Sequence, residues 1–73
     1  MSISARIKYF RNIKGLSQEN VAMMLGIKST NYAKYESGER TPKHERLVQI
    51  AKILDTDIVA LETGFEKNFQ VIS

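Results

Sequence analysis

The chain has no cysteine, one histidine and one proline among its 73 residues. Without thiols neither a disulfide framework nor a thiolate metal site can form, and His44 alone leaves no partner for a metal cluster or a catalytic pair. The apolar runs fall far short of the ~20 residues that span a bilayer, and the first residues lack the apolar block of a signal peptide. A cytoplasmic protein with no membrane partner is expected. A chain of this length makes one domain, enough for a small all-helical core but too small for an enzyme with a deep cleft. No nucleophile, base and orienting group can be assembled from one histidine and scattered carboxylates, so no enzymatic activity, no cofactor and no small-molecule ligand are expected.

What is present is an uneven charge. The net charge is +3, but residues 1–54 hold ten Lys and Arg against four Asp and Glu, a balance of +6, whereas residues 55–73 hold one against four, a balance of −3. That polarity turns the first part toward a polyanion and leaves the other end for partner contacts. Any single Lys or Arg solvates a helix surface as readily as it binds phosphate; the asymmetry carries the inference.

Apolar spacing predicts five helices with short connections. Ile3, Ile7 and Phe10 recur at helical intervals, giving a first helix over roughly residues 3 to 13 that closes at Gly15. Val21 and Leu25 are four apart on a second helix, Tyr32 and Tyr35 three apart on a third, and Ile27 lies between them. All five reach one core only if the chain turns at Gly26, where glycine accepts the positive φ that ends a helix tightly. Ala22 is small enough for the two helices to cross closely. Ser17 supplies a cap for the second helix, and Glu19 complements its dipole. Leu47, Ile50, Ala51 and Leu54 mark a fourth helix soon after Pro42. Asp57 is expected to cap a last short helix that turns Ile58 and Leu61 inward and stops before Gly64. Of Met23 and Met24, one is expected to fill the core and the other to be partly exposed.

Leu16-Ser17-Gln18, Ala22, Gly26, Tyr35-Glu36, Gly38 and Pro42 occur together at particular intervals. With them the stretch Gly15 to Pro42, GLSQENVAMMLGIKSTNYAKYESGERTP, resembles the helix-turn-helix family of phage repressors, Cro proteins and bacterial XRE-type regulators. The remainder up to about Gly64 aligns with that family's flanking helices. The resemblance implies an all-α, compact five-helix bundle of the lambda-repressor-like DNA-binding type with a central helix-turn-helix over residues 1–64, followed by an apolar tail at residues 65–73. It implies a sequence-specific transcriptional regulator that binds double-stranded DNA. Repression is the default, since a protein seated on a promoter blocks polymerase without needing an activating contact.

Ser29, Thr30, Asn31 and Lys34 are the polar positions of the third helix not spent on the core, and the resemblance places base-reading residues there. Asn31 suits a bidentate contact to adenine, Lys34 suits guanine O6 or N7, and Ser29 and Thr30 suit bases or phosphates. The resemblance also implies phosphate contacts from Gln18 at the start of the second helix, from Ser37 beside Gly38, and from Arg40 and Lys43. It pairs Arg11 with Glu36 as a partly buried brace, with Arg11 touching a phosphate as well. Three departures stand out. Lys28 occupies a usual capping position, so the third helix either begins less firmly or is capped by Ser29 instead. Glu39 replaces a frequent lysine or asparagine and weakens nonspecific affinity unless it points away or pairs with Arg40. Tyr32 and Tyr35 replace aliphatic residues, with their hydroxyls expected at the rim of the core.

One such module reads only a few base pairs, so a homodimer on a palindromic site is expected. Ile58, Val59 and Leu61, with Phe65, Phe69, Val71 and Ile72, offer more apolar surface than so short an end can hide, and form the expected dimerisation surface. The segment FQVI could pair as a strand across the dimer, fold back on its own protomer or begin a further domain, with self-association placed first. The alternative function is a protein-binding module, such as an antitoxin or coactivator-like adaptor on the same fold. Tight, salt-sensitive binding to a defined duplex separates the two.

Overall fold

Small polar residues and glycines set where each helix begins and ends. The computed structural model describes residues 2–64, which form α1 (Ile3–Lys14), α2 (Gln18–Leu25), α3 (Ser29–Ser37), α4 (His44–Ile53) and α5 (Ile58–Thr63). Ser2 caps α1 by accepting the Ala5 N–H at 3.1 Å. Ser17 caps α2 by accepting the Asn20 N–H at 3.0 Å, and Asn20 Oδ1 returns the favour to the Ser17 N–H at 3.2 Å. This reciprocal box normally carries Glu or Gln in the second role, which is why sequence reading sees only the serine half of it.

The turn between α2 and α3 is the expected one. Gly26 sits at φ +74° with its N–H directed at the Ala22 and Met23 carbonyls, and the Ile27 N–H returns to Ala22 O at 3.0 Å. These bonds satisfy carbonyls that the end of α2 would otherwise leave open. Two helices start without a side-chain cap, which for α3 is the less firm start expected behind Lys28 and for α5 overturns the expected Asp57 cap. Lys28 is the residue before α3 and no side chain caps that helix; Ser29 is its first helical residue, already inside it. Asp57 likewise makes no side-chain cap for α5. The start of α5 relies instead on the Asp57 carbonyl, which accepts from Ala60 N–H at 3.0 Å.

Ile7, Val21, Ala22, Tyr32, Leu47, Ile50, Ala51, Leu54 and Leu61 form one buried cluster, so every helix contributes to it. Ile3, Phe10, Leu16, Leu25, Ile27, Tyr35, Ile53 and Ile58 pack around that cluster. Each large side chain fully buried here stabilises the fold by about 1.5–3 kcal/mol relative to exposure. The six-residue α5 is further tied to α1 by Arg6, whose Nε donates to Leu61 O at 2.6 Å and Nη2 to Glu62 O at 2.7 Å. Among the described residues no helix is long and apolar enough to cross a membrane.

Two expectations about apolar surface need correction. Leu61 is wholly buried in the core, because Ala60 and Leu61 together form the inward side of α5; it has no surface to offer a second copy. Ile58 packs half-buried against the same core, and Val59, 43% exposed, is the apolar residue that α5 leaves outside. Phe65, Phe69, Val71 and Ile72 lie outside the described residues. Met23 and Met24 are 70% and 55% exposed, so neither fills the core. Val21, Ala22 and Leu25 already occupy the inner arc of this short helix.

Gly26 yields a direct test. A Cβ built there meets nothing within 4 Å, so Gly26→Ala adds no clash and costs only the left-handed backbone conformation, about 1–2 kcal/mol. Urea denaturation should show a lower midpoint with an unchanged slope.

Candidate nucleic-acid interface

Tyr32 and Glu36 stand four residues apart on α3 and so share a face, turned into the protein. Glu36 has 3% of its side chain exposed and Arg11 11%. Arg11 Nε donates to Glu36 Oε2 at 2.6 Å and Nη2 to Oε1 at 3.0 Å, a bidentate pair. Arg11 Nη1 donates to Leu16 O at 2.7 Å, fixing the turn before α2. Gln18 Nε2 donates to Glu36 Oε1 at 3.0 Å and the Tyr32 hydroxyl to Oε2 at 2.5 Å. One carboxylate thereby gathers α1, the start of α2 and its own helix. No buried side-chain nitrogen or oxygen among the described residues lacks a partner.

Burial alone would push the Glu36 carboxyl up. Hydrogen bonds from Arg11, Tyr32 and Gln18, with the Arg11 charge, outweigh it and hold the carboxyl below its ordinary value. Burial, the hydrogen bond to Glu36 and the Glu36 charge keep the Tyr32 hydroxyl protonated far above the usual phenol range. The Tyr32 ring is fully buried and its hydroxyl belongs to this network, which corrects the expectation of a hydroxyl at the rim. A buried polar partner drew it inward.

With Tyr32 and Glu36 committed inward, the remaining polar positions of α3 face away from the core. Thr30 is exposed, and Ser29, Asn31 and Lys34 are half-buried. Ser29 and Thr30 line an open recess of about 490 Å³ between the starts of α2 and α3, together with Gln18, Ser17, Glu19 and Arg11. Gln18 thus reaches this recess while one amide N–H is spent on Glu36. Arg11 borders it too, with all three guanidinium nitrogens already donating inside the protein. Arg40 and Lys43 are exposed and line a second recess of about 360 Å³ with Tyr35, Glu45, Arg46 and Gln49. Ser37 lies between the two sets, its hydroxyl donating to Lys34 O at 3.2 Å and accepting from the Glu39 N–H at 3.3 Å.

Sequence reasoning missed one contact on this face. The ion pair that Glu39 makes is with Lys34, Nζ to Oε2 at 4.0 Å, in place of the pairing with Arg40 that the sequence offers. Its only signal was an acidic side chain one residue beyond the glycine that ends α3. The single histidine, His44, opens α4 at the surface with Nδ1 3.5 Å from Glu62. Among the described residues no group of three or more His, Asp or Glu side chains converges on a metal site.

The chain matches the profile of the Helix-turn-helix family over residues 7–61. It is 41% identical over 69 residues to the uncharacterized HTH-type transcriptional regulator YqaE of Bacillus subtilis, covering 92% of this chain and 60% of that protein. It is 41% identical over 58 residues to the cryptic phage CTXphi transcriptional repressor RstR of Vibrio cholerae, covering 80% of this chain and 52% of the other. It therefore spans between half and two thirds of the length of these relatives. Among solved structures, the N-terminal DNA binding domain of SinR from Bacillus subtilis superposes with a TM-score of 0.74 at 28% identity, covering 92% of this chain and 96% of that one.

The buried pair sets a stability prediction. Glu36→Gln leaves the Arg11 guanidinium poorly solvated without a counter-charge and should cost about 3 kcal/mol at neutral pH. Since folding lowers the Glu36 carboxyl from its ordinary 4.5, its contribution is complete above that pH and is lost as pH falls through the folded value. Urea melts should show the gap between wild type and Glu36→Gln widest at neutral pH and closing as the pH drops below about 4.5.

Proposed function

The chain belongs to the helix-turn-helix family, and on that premise we propose that it is a sequence-specific, double-stranded DNA-binding transcriptional regulator, most simply a repressor, acting in the cytoplasm as a homodimer on a palindromic site. The observation that carries this reading is the outward set Ser29, Thr30, Asn31 and Lys34 on α3, flanked by one recess lined by Gln18 and another lined by Arg40 and Lys43. A helix presenting short polar side chains and a cation fits a major groove, where base edges offer distinct donor and acceptor patterns. Arg40, Lys43 and Arg46 outnumber Glu45 in one recess, and the Gln18 amide stands beside Glu19 in the other; these cations and this amide suit the phosphate backbones that border such a groove. Names of regulators and of a repressor among the relatives point the same way.

In this proposal Asn31 and Lys34 read bases, and Ser29 and Thr30 contact bases or phosphates. Gln18, Ser37, Arg40 and Lys43 hold phosphates. Arg11 serves first as the brace to Glu36. Residues 1–64 are the reading unit. Val59 and Ile58, with the tail at residues 65–73, supply the self-association surface.

Selection of bound duplexes from a random pool at two salt concentrations tests the reading. A motif with two-fold symmetry and half-sites about ten base pairs apart is expected. No motif, with weak binding that vanishes as salt rises, would favour a protein-binding module on the same fold. Lys34→Ala should relax the base preference, whereas Arg40→Ala should weaken binding to all sequences and lower the salt slope by about one. Sedimentation should show Val59→Lys shifting the protein toward monomer; an unchanged association constant would remove Val59 from the dimer surface.

A further inference from the structure

Lys34 and Glu39 form an ion pair at 4.0 Å in which both side chains remain solvent-accessible, so the pair adds little to stability. Its effect lies in the charge that α3 presents outward. Glu39 is not on a free loop. Gly38, at φ +84°, turns the chain. Ser37 Oγ bonds both Lys34 O and the Glu39 N–H, and the Arg40 N–H returns to Lys34 O at 3.1 Å. This knot of bonds holds the backbone of Glu39 against the same helical turn that carries Lys34. By contrast, Arg40 and Lys43, exposed cations on the following loop, form no ion pair among the described residues. The acidic side chain compensates the one cation assigned to base reading and spares the two assigned to phosphates.

Resting on the DNA-reading proposal above, we propose that Glu39 is a specificity-determining residue, one that withholds the Lys34 charge from the general phosphate field and leaves the ammonium available to the paired acceptors of a guanine edge. Nonspecific binding draws on every cation that displaces counterions from phosphates. A lysine neutralised by a neighbouring carboxylate contributes little to that long-range attraction. At contact distance the balance changes. At 4.0 Å the pair with Glu39 is a charge contact and not a hydrogen bond, so the three N–H donors of the ammonium stay available to guanine O6 and N7, whose hydrogen bonds depend on position and repay the approach. Lys34 then counts toward affinity only where the right base stands.

The test uses the intact protein, a duplex selected as above, and a scrambled duplex of equal length, titrated across a salt series with wild type, Glu39→Gln, Lys34→Ala and the double variant. Glu39→Gln should tighten binding to the scrambled duplex about eightfold at 0.1 M salt, steepen its salt slope by about 0.9, and tighten the selected duplex by no more than about twofold. In the Lys34→Ala background the gain on the scrambled duplex should vanish. Equal tightening on both duplexes would make Glu39 a uniform electrostatic brake and overturn the proposal. A gain that persists without Lys34 would overturn it as well. Wild-type protein that prefers no duplex at all would overturn the DNA-reading proposal itself, an outcome distinct from retained preference with an unchanged ratio in Glu39→Gln.

Discussion

A carboxylate with almost no contact with water must be met by enough donors to replace its hydration, and Glu36 is met by three side chains from different parts of the chain. Arg11 gives two hydrogen bonds, Gln18 one and Tyr32 one. The desolvation of such a pair can cancel its attraction, so a well-packed apolar substitute could match it in stability. What an apolar substitute would lack is direction. Hydrogen bonds of fixed geometry set the rotation of α3 about its own axis, which a smooth apolar stripe specifies only loosely. Since Tyr32 and Glu36 must point at Arg11, the identity of the outward residues follows from helical periodicity. The outer face of the domain is thus determined by a buried interaction.

The stripes of Ile7, Val21, Leu47, Ile50 and Leu54 were legible in the sequence because burial is a property of spacing, and spacing survives without coordinates. The Gly26 turn and the Ser17 cap were legible for the same reason: each is a local event with a residue-specific cause. The Arg11–Glu36 brace came from resemblance, since residues 25 positions apart carry no pairwise signal in one sequence. Where periodicity had slack, it misled. Eight residues of α2 hold only three inward positions, and Met23 and Met24 were left outside. α5 has too few residues for Leu61 to serve both a core and a dimer. Asp57 failed as a cap because a capping residue type does not by itself aim the carboxylate at the first free N–H groups.

The outward face was legible by elimination, but its electrostatics were not. Counting charges by segment separates a basic part from an acidic one, yet the count cannot say which cation an acidic neighbour compensates. Glu39 joins Lys34 rather than the adjacent Arg40 because the left-handed backbone at Gly38 sends the chain back over the last turn of α3. A single φ angle thereby redistributes charge among three residues that composition treats alike. The same held for Tyr32, whose hydroxyl found a buried acceptor that no propensity scale registers.

The Arg6 clasp bears on how the domain comes together in time. The contacts of the α2–α3 turn lie close along the chain, whereas Arg6 meets Leu61 across 55 positions. Closing so long a loop spends chain entropy before any bond rewards it. The helical pair at the centre is therefore expected to form ahead of the bond that joins first helix to last. An interaction made on the far side of the folding barrier changes the rate of opening more than the rate of closing. On that order of events Arg6 would act as a latch, its two bonds across the α1–α5 seam slowing opening more than they speed closing.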